Sequence, residues 1–138
     1  MRHVLFDSDV LLDVLAQRQP FVLASAQSLN TVVKPQVKGY VSGHAVTNIF
    51  YILRRQAGGE KARELLSKLL QHLEVASVTD GVIKAALESS MTDFEDAVTS
   101  EAANAAGVEV IVTRNKSDFT ASAIPALLPD EFLAMPLE

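Results

Sequence analysis

Short apolar runs alternate along this chain with longer stretches of helical spacing, and that alternation restricts the fold more than any other property of the sequence. Val4-Leu5-Phe6 is too brief for a helix and reads as a buried strand. Asp7, Ser8 and Asp9 follow as helix-start residues, and Val10, Leu11, Val14 and Leu15 then recur at helical intervals. Pro20 suits the first position of a second helix carrying Phe21, Val22, Ala24, Leu29 and Val32. Residues 39–42 read as a second strand, and residues 45–57 as a helix closed by Gly58-Gly59. An amphipathic helix is expected over residues 61–72, with Leu65, Leu66, Leu69 and Leu70 turned inward. Residues 74–78 read as a third strand, after which Thr79 and Asp80 cap a helix through Leu87. Thr92 or Asp93 caps another helix that reaches Ala106 and stops at Gly107. The fourth strand is expected at residues 108–112. Pro125, Pro129 and Pro136 break the tail, where residues 126–128 offer a short fifth strand.

Strands that alternate with helices imply a parallel sheet covered on both faces. The expected fold is therefore a three-layer α/β/α sandwich with a central parallel sheet of four to five strands, formed by residues 1–138 as a single domain. In such sheets ligands bind beyond the carboxyl ends of the strands. Asp7 lies there on the first strand and Thr113-Arg114-Asn115 on the fourth. The chain has no cysteine, which excludes disulfides, zinc-thiolate sites and thiol nucleophiles. No apolar stretch reaches the length of a secretion signal or a membrane span, so the expectation is a soluble cytoplasmic protein.

The formal net charge of -5 argues against a DNA-coating role, because such binding is mostly counterion release by Lys and Arg. It leaves room for a nuclease, whose carboxylates gather to hold a cation. Asp7, Ser8 and Asp9 are more candidates than one helix cap needs, whereas Asp13 reads as a solvated position between Leu12 and Val14. Asp93 and Asp96 share one helix face. Asp93 and Glu95 suit a helix start, but Asp96 is flanked by Ala97 and Val98 on a helix of small residues, where a carboxylate needs a partner or a cation. Thr113, Asn115 and Asp118 bring oxygen and amide groups to the mouth of the fourth strand, either as a site or as a capping loop, and Arg114 and Lys116 could meet a phosphate. Arg54 and Arg55 suit the end of their helix; with Lys61, Arg63 and Lys68 they could instead form a track for RNA. His3, His44 and His72 are scattered, without zinc-ligand spacing; His44 alone falls near the expected site.

Four stretches together carry a family likeness. Val4-Leu5-Phe6-Asp7-Ser8-Asp9-Val10-Leu11-Leu12-Asp13, Thr47-Asn48-Ile49-Phe50-Tyr51-Ile52-Leu53-Arg54-Arg55, Asp93-Phe94-Glu95-Asp96-Ala97 and Thr113-Arg114-Asn115-Lys116-Ser117-Asp118-Phe119 resemble the PIN-domain family, closest to its toxins of the VapC type. The resemblance implies an endoribonuclease that uses Mg²⁺ or Mn²⁺ and leaves a 5′-phosphate. Asp7 and Asp96 match the family's metal-holding acids, with Asp93 in support and Thr113, Asn115 and Asp118 completing the site. It also implies a homodimer and a cognate antitoxin protein. Asn48 and Asn115 are amides where the family pattern has acids, Ser8 stands for threonine, and Asp9 for asparagine. Two other readings remain open: a PIN-like binding module without catalysis, and a haloacid-dehalogenase-type phosphohydrolase, whose opening motif Phe6-Asp7-Ser8-Asp9-Val10 also resembles.

Overall fold

Side chains that alternate along the first strand assign the two faces of the sheet. In the computed structural model, which describes residues 1–136, β1 (Arg2–Phe6) sends Val4 and Phe6 to one face and Leu5 to the other, all fully buried. The chain continues through α1 (Ser8–Leu15), α2 (Val22–Val33), β2 (Val37–Ser42), α3 (Gly43–Ala57), α4 (Gly59–Leu69) and β3 (Leu73–Ala76). It ends with α5 (Asp80–Glu88), α6 (Phe94–Ala105), β4 (Val110–Val112), a 3₁₀ turn (Lys116–Phe119), β5 (Ala126–Leu127) and α7 (Pro129–Ala134). The strands form one five-stranded sheet in the order β3-β2-β1-β4-β5, and every pairing is parallel. The expected three-layer α/β/α architecture is what the chain adopts.

The two cores differ in texture. Val4, Phe6 and Val112 pack with large residues of α1 to α4, including Leu11, Ile49, Leu53 and Leu66. Leu5, Tyr40 and Ile111 face the opposite layer, where α6 contributes Ala97, Val98, Ala102 and Ala103. Small residues let α6 lie close against the sheet, and this fixes where its acidic first turn can sit. No helix among the described residues is long and apolar enough to cross a membrane.

Several boundaries differ from expectation for local reasons. The second helix begins at Val22, with Pro20 and Phe21 in the turn before it. Only Gly58 of the glycine pair breaks the chain, at φ +89°; Gly59 already opens α4. That helix ends at Leu69, and residues 70–72 turn into β3 through His72 N–H donating to the Leu69 carbonyl at 3.0 Å. β4 is confined to Val110–Val112, because Val108 N–H is taken by the Ala103 carbonyl at 3.0 Å as α6 closes. Pro125 and Pro136 lie outside regular elements as expected, but Pro129 does not break the chain. Pro129 opens α7, the Glu131 carboxylate accepts from Leu128 N–H at 2.9 Å, and Phe132 is fully buried edge-on to Phe6 at 6.1 Å.

Gly39 marks the tightest approach between a strand and its covering helix. A Cβ there would lie 2.6 Å from Leu73 Cδ2 and 2.7 Å from Val32 Cγ2. Val32 is β-branched and has little freedom to turn aside. Gly39→Ala is therefore expected to cost about 1–3 kcal/mol by overpacking, read as a lower urea midpoint with unchanged slope.

Candidate active site

Strand register assembles the site. Phe6 pairs with Val112 in adjacent parallel strands, so Asp7 and Thr113 come side by side one residue further on. Asp7 N–H donates to the Val112 carbonyl at 2.9 Å. The Thr113 hydroxyl donates to Asp7 Oδ2 at 2.9 Å, while Asp7 Oδ1 accepts from Ser8 N–H at 2.9 Å at the start of α1. Asp7 thus caps α1 and is held by Thr113 at the same time.

Asp9 belongs to the same cluster and was underrated by sequence reasoning. Its Oδ2 accepts from Arg114 N–H at 3.1 Å and from Asn115 Nδ2 at 2.9 Å, with the Thr113 hydroxyl 3.4 Å away. Its Oδ1 is buried with no partner. The signal was the surplus of carboxylates at the helix start. Asp96 comes from the first turn of α6, which Asp93 caps by accepting from Asp96 N–H at 3.0 Å. Asn48 on α3 reaches the same rim and donates to Glu95 at 3.3 Å. His44 ties α3 to α6: Ser42 Oγ lies 3.1 Å from its Nδ1 and Thr99 Oγ1 lies 3.4 Å from its Nε2. Burial lowers its pKa.

Burial and mutual repulsion push the carboxyls up. Asp7 rises from 3.8 to about 7, chiefly because it is buried and then because Asp9 lies beside it, against the hydrogen bonds from Thr113 and Ser8. Asp9 is raised by burial despite the Arg114 amide and guanidinium. Asp96 is raised to about 6 by burial, then by Asp93, Asp118, Glu95 and Asp9. Asp9 and Asp96 thus act on Asp7, and Asp93, Asp118, Glu95 and Asp9 act on Asp96.

Oxygen donors of this kind fit a hard divalent cation, and the unpartnered Asp9 Oδ1 shows that the protein's own groups leave the cluster under-neutralised. Among the described residues no three acidic or histidine side chains are grouped so as to hold a metal ion. Any ion here would need water or substrate oxygens to complete its shell. That arrangement is normal for Mg²⁺, which often takes only one or two carboxylates.

Two expectations about charged residues are corrected. Asp13 is not solvated but fully buried, because α2 packs over it: Ser25 Oγ donates to its Oδ2 at 3.0 Å and Arg114 Nε at 2.8 Å. Arg114 is consequently drawn inward, with its guanidinium 3.9 Å from the centre of the Phe21 ring. Lys116 is held by Glu131 at 2.9 Å. The proposed basic track is also interrupted, since Glu64 pairs with both Lys61 and Lys68, while Arg54 and Arg63 rest over Tyr51 and Phe50.

Comparison with known proteins agrees with this architecture. No curated protein matches the chain. Among solved structures, VapBC2 from Rickettsia felis, bound to a DNA fragment from its promoter, superposes with a TM-score of 0.72 at 12% identity, covering 91% of this chain and 98% of that one. A toxin-antitoxin complex from Klebsiella pneumoniae gives 0.68 at 21% identity, covering 91% and 97%. VapC20 from Mycobacterium tuberculosis, described as a Sarcin-Ricin loop cleaving toxin, gives 0.64 at 16% identity, covering 78% and 86%. These likenesses establish the fold. The family model described as PIN domain matches residues 3–117, which is most of the chain, all of the first three stretches quoted from the sequence and the fourth as far as Ser117. With the sheet order, the register of Asp7 against Thr113 and this match in agreement, the chain belongs to the PIN domain family.

Proposed function

We propose that this protein is an endoribonuclease dependent on Mg²⁺ or Mn²⁺, acting in the cytoplasm as the toxin of a toxin–antitoxin pair through one catalytic unit over residues 1–138. Membership of the PIN domain family supports a nuclease, and structural neighbours that are toxin–antitoxin complexes support the pairing. The observation that carries the chemistry is the set of carboxyls, Asp7, Asp9 and Asp96, all raised above their ordinary range at the carboxyl edge of the sheet. Family membership also displaces the phosphohydrolase reading of the opening motif.

Asp7 and Asp96 would hold the cation. When bound, it would lower the pKa of water and neutralise charge that grows on the phosphate. Each neighbour has a task of its own. Thr113 fixes the orientation of Asp7 through its hydroxyl, and Asn115 does the same for Asp9 through its amide. Both residues therefore act on carboxylates. Asp93 sets the first turn of α6 and so the position of Asp96. Asp118 adds negative potential that favours a cation over its absence. Water would attack phosphorus in line, breaking the P–O3′ bond, so that one product carries a 5′-phosphate and the other a 3′-hydroxyl. An antitoxin segment with an arginine suits the same acidic cleft, because a guanidinium supplies the missing positive charge. A homodimer is expected to use exposed apolar residues of the early helices, such as Leu23 and Val33.

Calorimetric titration with Mn²⁺, paired with cleavage of a structured RNA, tests this reading on the wild type and on Asp96→Asn. The wild type should bind the ion and cut the RNA, with cutting abolished by EDTA; Asp96→Asn should lose at least tenfold in both, roughly the effect of disturbing a metal's supporting groups. A folded wild type that binds no Mn²⁺ and cuts nothing would leave a PIN-like binding module instead.

A further inference from the structure

A cavity of about 330 Å³ opens between the start of α2 and the start of α7, bounded by Phe21, Ala24 and Leu128 with Arg114 and Asp130. It shares a wall with the acidic cluster. The backbone N–H of Arg114 donates to Asp9 at 3.1 Å, while the side chain of the same residue lines the cavity. The guanidinium is anchored through Nε to buried Asp13 at 2.8 Å and lies 3.9 Å from the Phe21 ring centre. Phe21 remains 40% exposed at the mouth of the cavity. A flat platform of ring and guanidinium, apolar side walls and a carboxylate acceptor from exposed Asp130 match the chemistry of an unpaired nucleobase. A phosphate would meet Asp130 and gain little from Phe21.

We propose that this cavity is a nucleobase subsite, which takes the unpaired base beside the scissile phosphate and favours guanine, whose adjacent ring and amino N–H groups suit the Asp130 carboxylate. The proposal rests on the ribonuclease reading and assigns that reading's sequence preference to Phe21, Arg114 and Asp130.

The test uses the intact protein in EDTA, where nothing is cut. Single-stranded RNA octamers carrying one thienoguanosine, a fluorescent guanine analogue that keeps the ring and amino N–H groups, placed at each position in turn, are titrated while fluorescence and affinity are recorded. Wild type should quench one position, where the base stacks. Ala24→Leu, which fills the cavity from its wall, and Phe21→Ala should each abolish that quench and weaken binding by about tenfold. Their Mn²⁺ affinity should match wild type. Retained quenching in Ala24→Leu would overturn the subsite, as would RNA cleavage by a wild type that quenches no position. So would sedimentation that shows Ala24→Leu breaking a dimer seated on the cavity. A wild type that quenches one position yet neither binds Mn²⁺ nor cuts RNA would sink the ribonuclease reading and leave the base subsite standing.

Discussion

Asp7→Asn is expected to abolish RNA cleavage and at the same time to stabilise the protein in EDTA at pH 8. The loss of activity should exceed 100-fold (roughly the upper effect of disturbing a group that only supports a metal ligand), because Asp7 would be a ligand itself. The gain in stability has a separate origin. Asp7 is raised from 3.8 to about 7, so between those values the folded protein keeps a proton that the unfolded chain has released. The contribution of Asp7 to the stability of the cation-free protein is therefore fully present below the lower value and is lost as pH rises through the upper one. An amide carries no charge to desolvate and still offers an acceptor to Ser8. Since one pKa unit corresponds to about 1.4 kcal/mol and repulsion is shared with Asp9, the gain at pH 8 should be on the order of 2 kcal/mol. It should vanish near pH 4. Thermal melts of both proteins at the two pH values decide the matter, and a variant less stable than wild type at pH 8 would contradict it. Saturating Mn²⁺ should reverse the order, because binding to the folded state stabilises only the protein that retains the site.

Arg114→Met should produce the largest loss of stability, about 3 kcal/mol in urea denaturation. Asp13 is fully buried, and Arg114 is the cation paired with it among the described residues. Without it the carboxylate keeps only the Ser25 hydroxyl, and its Oδ1 already has no partner. Asp13→Val combined with Arg114→Met should recover most of the loss, since a buried pair replaced by apolar groups of similar size is often neutral. A single variant that loses less than about 1 kcal/mol would show that water reaches Asp13.

Much of the architecture was legible because it depends on periodicity. The run Val4-Leu5-Phe6 and the alanine-rich stretch after Asp96 announce a buried strand and a close-packed helix, and their order fixes the layers. The place of Asp7 and Thr113 at the carboxyl edge of the sheet was legible because each follows the last apolar residue of its strand. What stayed hidden depends on partners distant in sequence. Asp13 looks solvated beside Leu12 and Val14 until Arg114, 101 residues later, is folded onto it. Asp9 looks like a spare cap until the Arg114 amide and Asn115 close on it. Asn48 fills an acidic position of the family pattern, yet it donates to Glu95, a contact that no local rule anticipates. Pro129 signals a helix start as readily as a break, and only buried Phe132 against Phe6 decides between them.

Adjacency of β1 and β4 also sets a timetable for synthesis. Asp7 leaves the ribosome well before the strand that holds it, and the threonine that orients it follows 106 residues later. A nascent chain ending at Gly107 already displays Asp7, Asp9, Asp93 and Asp96, yet has neither the Val112 carbonyl nor the Thr113 hydroxyl to set them. The acidic cluster therefore cannot be set on a half-made chain. Its carboxylates reach their final places only after β4 has emerged.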